Sequence, residues 1–129
     1  MKNLVVSIVL VVVAVILFVF LLLFAIPWSI VASLWKRKFK NGLNELSGWF
    51  YAWALSIDQL GNVVCKELFN DALILHTGIP FGNPDETISS VLGKNKKANT
   101  LSKGGKGLDW ILNKLDPNHS INSIEADEF

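Results

Sequence analysis

The sequence predicts an all-α membrane protein: one N-terminal transmembrane helix followed by a small helical domain, amphipathic and partly interfacial. Three observations predict it. Leu4–Ile26 carries no charge and almost no polar residue. From Leu43 onward apolar residues recur at helical spacing. No alternating apolar/polar run of the kind that makes a strand occurs in the chain. The expected organisation is an anchor with a basic flank over 1–40, an amphipathic or interfacial helical region over 41–78, and a small helical motif with a Lys/Gly loop and a tail over 79–129.

In the first element 20 of the 23 residues from Leu4 to Ile26 are Leu, Ile, Val or Phe. At roughly 1.5 Å per residue such a helix spans ~35 Å, enough for a hydrocarbon core of ~30 Å. Its insertion is favoured by at most ~6–12 kcal/mol, with no opposing charge. A cleaved signal peptide would have an apolar core of roughly 7–15 residues and a small-residue cleavage site. This core is longer, and no A-x-A-like site stands near Pro27. A helix apolar all round inside a soluble domain would need more protein around it than 129 residues supply.

Pro27 is expected to end or kink the run, with Trp28 and Trp35 at headgroup depth. Lys36, Arg37, Lys38 and Lys40 put four positive charges into five residues. These are the expected membrane-surface contacts. By the positive-inside rule they place the N-terminus outside and the C-terminal domain in the cytoplasm.

Asn41-Gly42 is expected to break the chain. Leu43, Leu46, Phe50, Trp53, Ile57, Leu60 and Val64 then follow at spacings of 3 and 4, an a/d stripe over three heptads. Trp49 and Tyr51 beside it suit a helix lying at the interface; a buried helix of a bundle and a re-entrant hairpin are the other readings. The pattern continues through Leu68, Ala72 and Leu75 and is expected to stop at Thr77-Gly78, with an internal break left open near Gly61-Asn62.

Asn83-Pro84-Asp85-Glu86-Thr87 is the densest local signal. Asn83 as cap, Pro84 at the first helical position and Glu86 as reciprocal partner predict a short helix ending at Gly93. Residues 93–107 read as a Lys/Gly/Asn loop. It lacks the Gly-Lys-Ser/Thr ending of a phosphate-binding loop, because Gly107 follows Lys106. Leu108, Ile111, Leu112 and Leu115 predict a last amphipathic turn or two, Asp116–His119 a turn, and 120–129 a frayed end.

The polar residues suggest no chemistry. Cys65 stands alone, and His76 and His119 lack metal-ligand spacing. Asp85 and Glu86 are adjacent, so on a helix they diverge by about 100°. Ser89-Ser90 lacks a nucleophile-elbow context. No cofactor is expected. The basic clusters at 36–40 and 94–106 fit an anionic membrane surface; nucleic acid is the alternative and not the expected partner.

Taken together, Asp58-Gln59-Leu60-Gly61-Asn62, Gly82-Asn83-Pro84-Asp85-Glu86-Thr87-Ile88-Ser89-Ser90 and Asn118-His119-Ser120 resemble a group of short phage and prophage proteins. Those carry a D-Q-x-x-N stretch, a G-x-P-D-E-T-x-S core and an N-H-C near the end. The resemblance covers about residues 55–125. Val91 stands where an Arg commonly follows the serines, and Ser120 replaces the Cys. The resemblance implies a viral origin and no mechanism. The leading expectation is a phage-encoded, non-enzymatic, single-span accessory or interaction protein. Its partners would be the bilayer and either another protein or a second copy. A holin-like lysis factor and a membrane-tethered nucleic-acid binder are the alternatives.

Overall fold

The computed structural model describes residues 2–36 and 39–125. Arg37 and Lys38 lie outside the described residues, and of Lys36 and Lys40 only the helical backbone is described. Among the described residues the chain forms six helices and no strand. It divides after Phe50 into two compact units.

The first unit holds α1 (Lys2–Lys36) and the start of α2 (Phe39–Val64). Asn3–Ser33 within α1 is long and apolar enough to cross a membrane, with a mean hydropathy of 3.6 and no part of its most apolar window buried. Pro27 does not end the run; it lies inside the helix. Its φ is helical and it removes a single ladder bond, so the apolar residues on both sides carry the helix on. Trp28 and Trp35 sit on this extension and are 70% and 87% exposed. Seven residues apart, they share one face. The expected break at Asn41-Gly42 is absent as well, since α2 runs through both residues. Weak helix formers cost about 1 kcal/mol or less apiece, which a helix of this length absorbs.

The second unit starts with the rest of α2. That helix passes Gly61-Asn62 and yields at Cys65, after which α3 (Lys66–Ala72) follows directly: Phe69 N–H bonds Cys65 C=O at 2.9 Å. The helical run stops at Ala72 rather than Thr77-Gly78, because the chain turns to pair with a later segment. Ile74 and Leu101 form an isolated antiparallel bridge, with Leu75 N–H to Thr100 C=O at 2.8 Å and Ser102 N–H to Leu73 C=O at 3.0 Å.

The stretch read as a Lys/Gly loop is mostly helix. α4 (Ile88–Lys97) passes through Gly93, and α5 (Lys103–Leu115) takes in Gly104, Gly105 and Gly107. The glycines answer to packing. A Cβ on Gly105 would lie 2.1 Å from Leu73 O, and one on Gly93 2.0 Å from Ser120 O. The start of α5 therefore abuts the carbonyl end of α3, and α4 touches the backbone of α6 (His119–Asn122). Ser102 caps α5 and donates to Ala72 C=O at 2.6 Å. Residues 120–125 are not frayed either: Ser120 is fully buried and Glu125 N–H bonds Ser90 Oγ at 3.0 Å.

The core is small. Ile74, Phe81, Val91, Leu92 and Leu101 are buried, with Phe69, Leu73, Ile88, Leu108 and Leu112 packed around them. Phe69 and Phe81 meet edge to face at 5.3 Å. Each fully buried side chain of this kind stabilises by about 1.5–3 kcal/mol. So short a list leaves much of the specificity to buried polar groups. Among the described residues eight are buried: Asn62, Glu86, Thr87, Ser89, Ser90, Asn95, Asp109 and Ser120.

Candidate functional site

Most of the motif residues converge on one non-helical segment, 79–87, and on the start of α4. Three asparagines from three helices hold the segment. Asn95 of α4 accepts from Ile79 N–H and donates to Ile79 C=O, both at 2.8 Å. Asn70 of α3 accepts from Phe81 N–H at 2.7 Å and donates to Phe81 C=O at 3.3 Å. Each amide does for one residue what a neighbouring strand would do. Asn62 of α2 comes next: it accepts from Gly82 N–H at 2.9 Å and donates to Asn83 C=O at 2.9 Å and Glu86 C=O at 2.8 Å. Gln59 adds a longer bond to Asp85 C=O at 3.4 Å.

Asn95 reaches the four-bond limit of a side-chain amide. Beyond Ile79 it donates to Val91 C=O at 2.9 Å and accepts from Thr100 Oγ1 at 2.6 Å. Asn62 and Asn95 are both fully buried. A buried polar side chain is tolerated at no net loss only when its bonds are made in this way.

Asn83-Pro84-Asp85-Glu86 is a turn, not a helix start. Glu86 N–H closes it on Asn83 C=O at 3.2 Å, and Asn83 Oδ1 turns to Asp85 N–H at 3.1 Å. That gives Asn and Pro their usual first and second turn positions. The helix cap is Thr87, whose Oγ1 accepts from Ser90 N–H at 3.0 Å. Glu86 is not a capping-box partner either; it is buried and ion-paired with Lys94. Asp58 supports the same helix end from α2, accepting from Ser89 Oγ at 2.9 Å and Ser89 N–H at 3.4 Å. A carboxylate at this helix N-terminus also suits the helix dipole.

At the C-terminal end Asn118 adopts the left-handed conformation, φ +62°, and lets the chain turn from α5 into α6. His119 begins α6, with Nδ1 3.0 Å from Asp116 Oδ2. Ser120 donates to Asp109, which is also paired with Lys96 at 2.8 Å. Burial raises the Asp109 carboxyl, but hydrogen bonds from Lys96 and Ser120, the Lys96 charge and Asn113 outweigh it and hold the group below the usual carboxylate range.

A groove of about 700 Å³ lies beside this network, lined by Tyr51, Leu55, Asp58, Ser89, His119 and Glu125 among others. Its Ser89–Asp58 and His119–Asp116 pairs are separate; among the described residues no hydrogen bond joins them. Asp58 is engaged with a helix end rather than with an imidazole, so the arrangement holds no relay from acid through His to hydroxyl. Cys65 is half-buried and free. Among the described residues no group of three His, Cys, Asp or Glu is placed to hold a metal ion.

No protein-family model matches the chain, and neither do curated proteins or solved structures.

Asp58, Gln59, Asn62, Asn83, Asp85, Glu86 and Thr87, singled out by pattern, are thus brought together, whereas Asn118 makes the turn into α6 and His119 lines the groove beside Asp58 and Ser89. Pro84 contributes through the turn alone. Asn70, Asn95, Lys94 and Asp109 escaped the sequence reading. One signal was available for Asn95: it falls four residues after Val91, on the apolar face of α4, where an Asn needs a buried partner.

Proposed function

We propose that this chain is a phage-encoded, single-span protein of the bacterial inner membrane that works by binding rather than by chemistry. Its N-terminus would be outside and its helical domain at the cytoplasmic face. The observation that carries the reading is α1, whose Asn3–Ser33 stretch is apolar on every side and unburied. A soluble chain leaving that surface in water would forfeit most of the stability its small core supplies. The non-enzymatic part rests on how the motif's polar groups are used: Asn62, Asn70 and Asn95 bond backbone, and Thr87 and Asp58 cap a helix. The basic run from Lys36 to Lys40 supports the orientation, and the pattern over residues 55–125 supports the viral origin.

Alkaline carbonate extraction of membranes from cells expressing the chain tests the span. The protein is expected in the pellet; release into the supernatant would overturn the reading. Membrane potential followed after induction separates an accessory protein from a holin-like one. An unchanged potential is expected, and collapse would move the chain to the pore-forming class.

A further inference from the structure

Residues 94–106 hold five lysines and no acid, and the fold sorts these cations by use. Lys94 and Lys96 pair with Glu86 and Asp109 of their own domain. Lys103 and Lys106 stay exposed on α5, where Lys114 joins them. At about 100° per residue these three lie on one side of the helix, with Trp110 among them. The Lys114 ammonium sits 5.1 Å from the centre of the Trp110 ring. The apolar residues of α5 divide between two sides. Leu108 and Leu112 pack against the core, whereas Trp110, Ile111 and Leu115 are 62%, 51% and 80% exposed. We infer that this outer side of α5 is a docking surface for an anionic lipid leaflet. The inference rests on the membrane reading and adds which part of the domain meets lipid.

Charge and side-chain type choose lipid. The acid within α5 is Asp109, which is buried and paired with Lys96, so no carboxylate of this helix opposes the outer lysines. Asp116, just past the helix end, lies 3.0 Å from His119 Nδ1. A second copy docked here would set these lysines against their own kind. A nucleic-acid backbone would answer the cations but make no use of Ile111 and Leu115. An anionic leaflet answers both. Lysines meet lipid phosphates, Trp110 suits headgroup depth, and the aliphatic side chains reach the acyl boundary. Gly107 lies on the same side as the lysines, and a Cβ there would meet nothing within 4 Å. Internal packing therefore does not require this glycine, unlike Gly105. Without a side chain it lets the helix backbone come close to a flat surface. An N-terminal helix inserted in the same bilayer holds the domain at high effective concentration, so a modest surface suffices.

The open space at Gly107 also gives a place for a reporter. The full chain carrying Cys65→Ser and Gly107→Cys would be labelled with an environment-sensitive fluorophore. It would be reconstituted into vesicles of phosphatidylcholine, alone or with phosphatidylglycerol, containing a nitroxide-labelled lipid. A blue shift and nitroxide quenching are expected with phosphatidylglycerol and not without it, and high salt should reverse both. Lys103→Glu, Lys106→Glu and Lys114→Glu together should abolish the response while circular dichroism stays that of the parent. Equal quenching in both vesicles, indifferent to the charge reversal, would overturn the inference. No quenching in either would overturn it too. A blue shift on adding an oligonucleotide would then assign the face to nucleic acid, and one rising with the protein-to-lipid ratio would assign it to a second copy. Flotation with phosphatidylcholine vesicles reports on the span alone. A chain that fails to float with them sinks the membrane reading, so the two failures are distinguishable.

Discussion

At the scale of single residues, the account turns on side chains that bond backbone. Asn62→Ala would leave Gly82 N–H and Glu86 C=O without partners and remove one of the two bonds to Asn83 C=O. At about 1–3 kcal/mol for each unsatisfied group, the domain should lose about 2 kcal/mol or more. Urea unfolding in detergent, read as a shift of midpoint, measures it. Gly93→Ala should cost about 1–3 kcal/mol or abolish the native packing, because its Cβ would meet Ser120 O, a backbone atom that cannot step aside. Asp109 supplies a pH dependence. Its carboxyl titrates lower in the fold than in the unfolded chain. The stability it contributes is therefore present above the unfolded value of about 3.9 and is lost as pH falls through the lower folded value. Asp109→Asn should unfold earlier than the parent at neutral pH, and the gap should close in acid. A gap independent of pH would show that the Lys96 and Ser120 contacts do not set this titration.

At the scale of elements, helix ends carry the clearest predictions. Thr87→Ala should cost about 1 kcal/mol as a lost cap, whereas Asn83→Ala should weaken a turn and leave α4 helical by circular dichroism. The contrast also shows how legible the chain was. Pro84 and Glu86 pointed to a helix start near residue 83, and α4 begins at Ile88. The local pattern suits a turn and a cap equally well, and Asn62, 21 positions back in the chain, tips the balance toward the turn. Gly93 and Gly105 read as breakers because glycine is a poor helix former. Inside α4 and α5 they are contact points, and contact is a tertiary property that local spacing does not encode. The helical spacing over 43–64 was legible, but the direction of its apolar row was not: buried Asn62 and half-buried Asp58 face inward, and Ile57, Leu60 and Val64 are left exposed. Hydrophobicity alone would have turned the stripe inward.

At the scale of the whole molecule, the long apolar run was the most legible feature. Its periodicity is irrelevant and its length decisive, so no tertiary context could redirect it, and α1 extends it beyond Pro27. The proposed placement of the domain rests on charge instead, on four cations in the five residues from Lys36 to Lys40. Topology is therefore where the account is most exposed. Its most direct measurement replaces Lys97, at the exposed end of α4, with Cys in a Cys65→Ser chain and treats spheroplasts with a membrane-impermeant maleimide. The account predicts no labelling in intact spheroplasts and full labelling once they are lysed. Labelling of Lys97→Cys in intact spheroplasts would place the domain outside and contradict it.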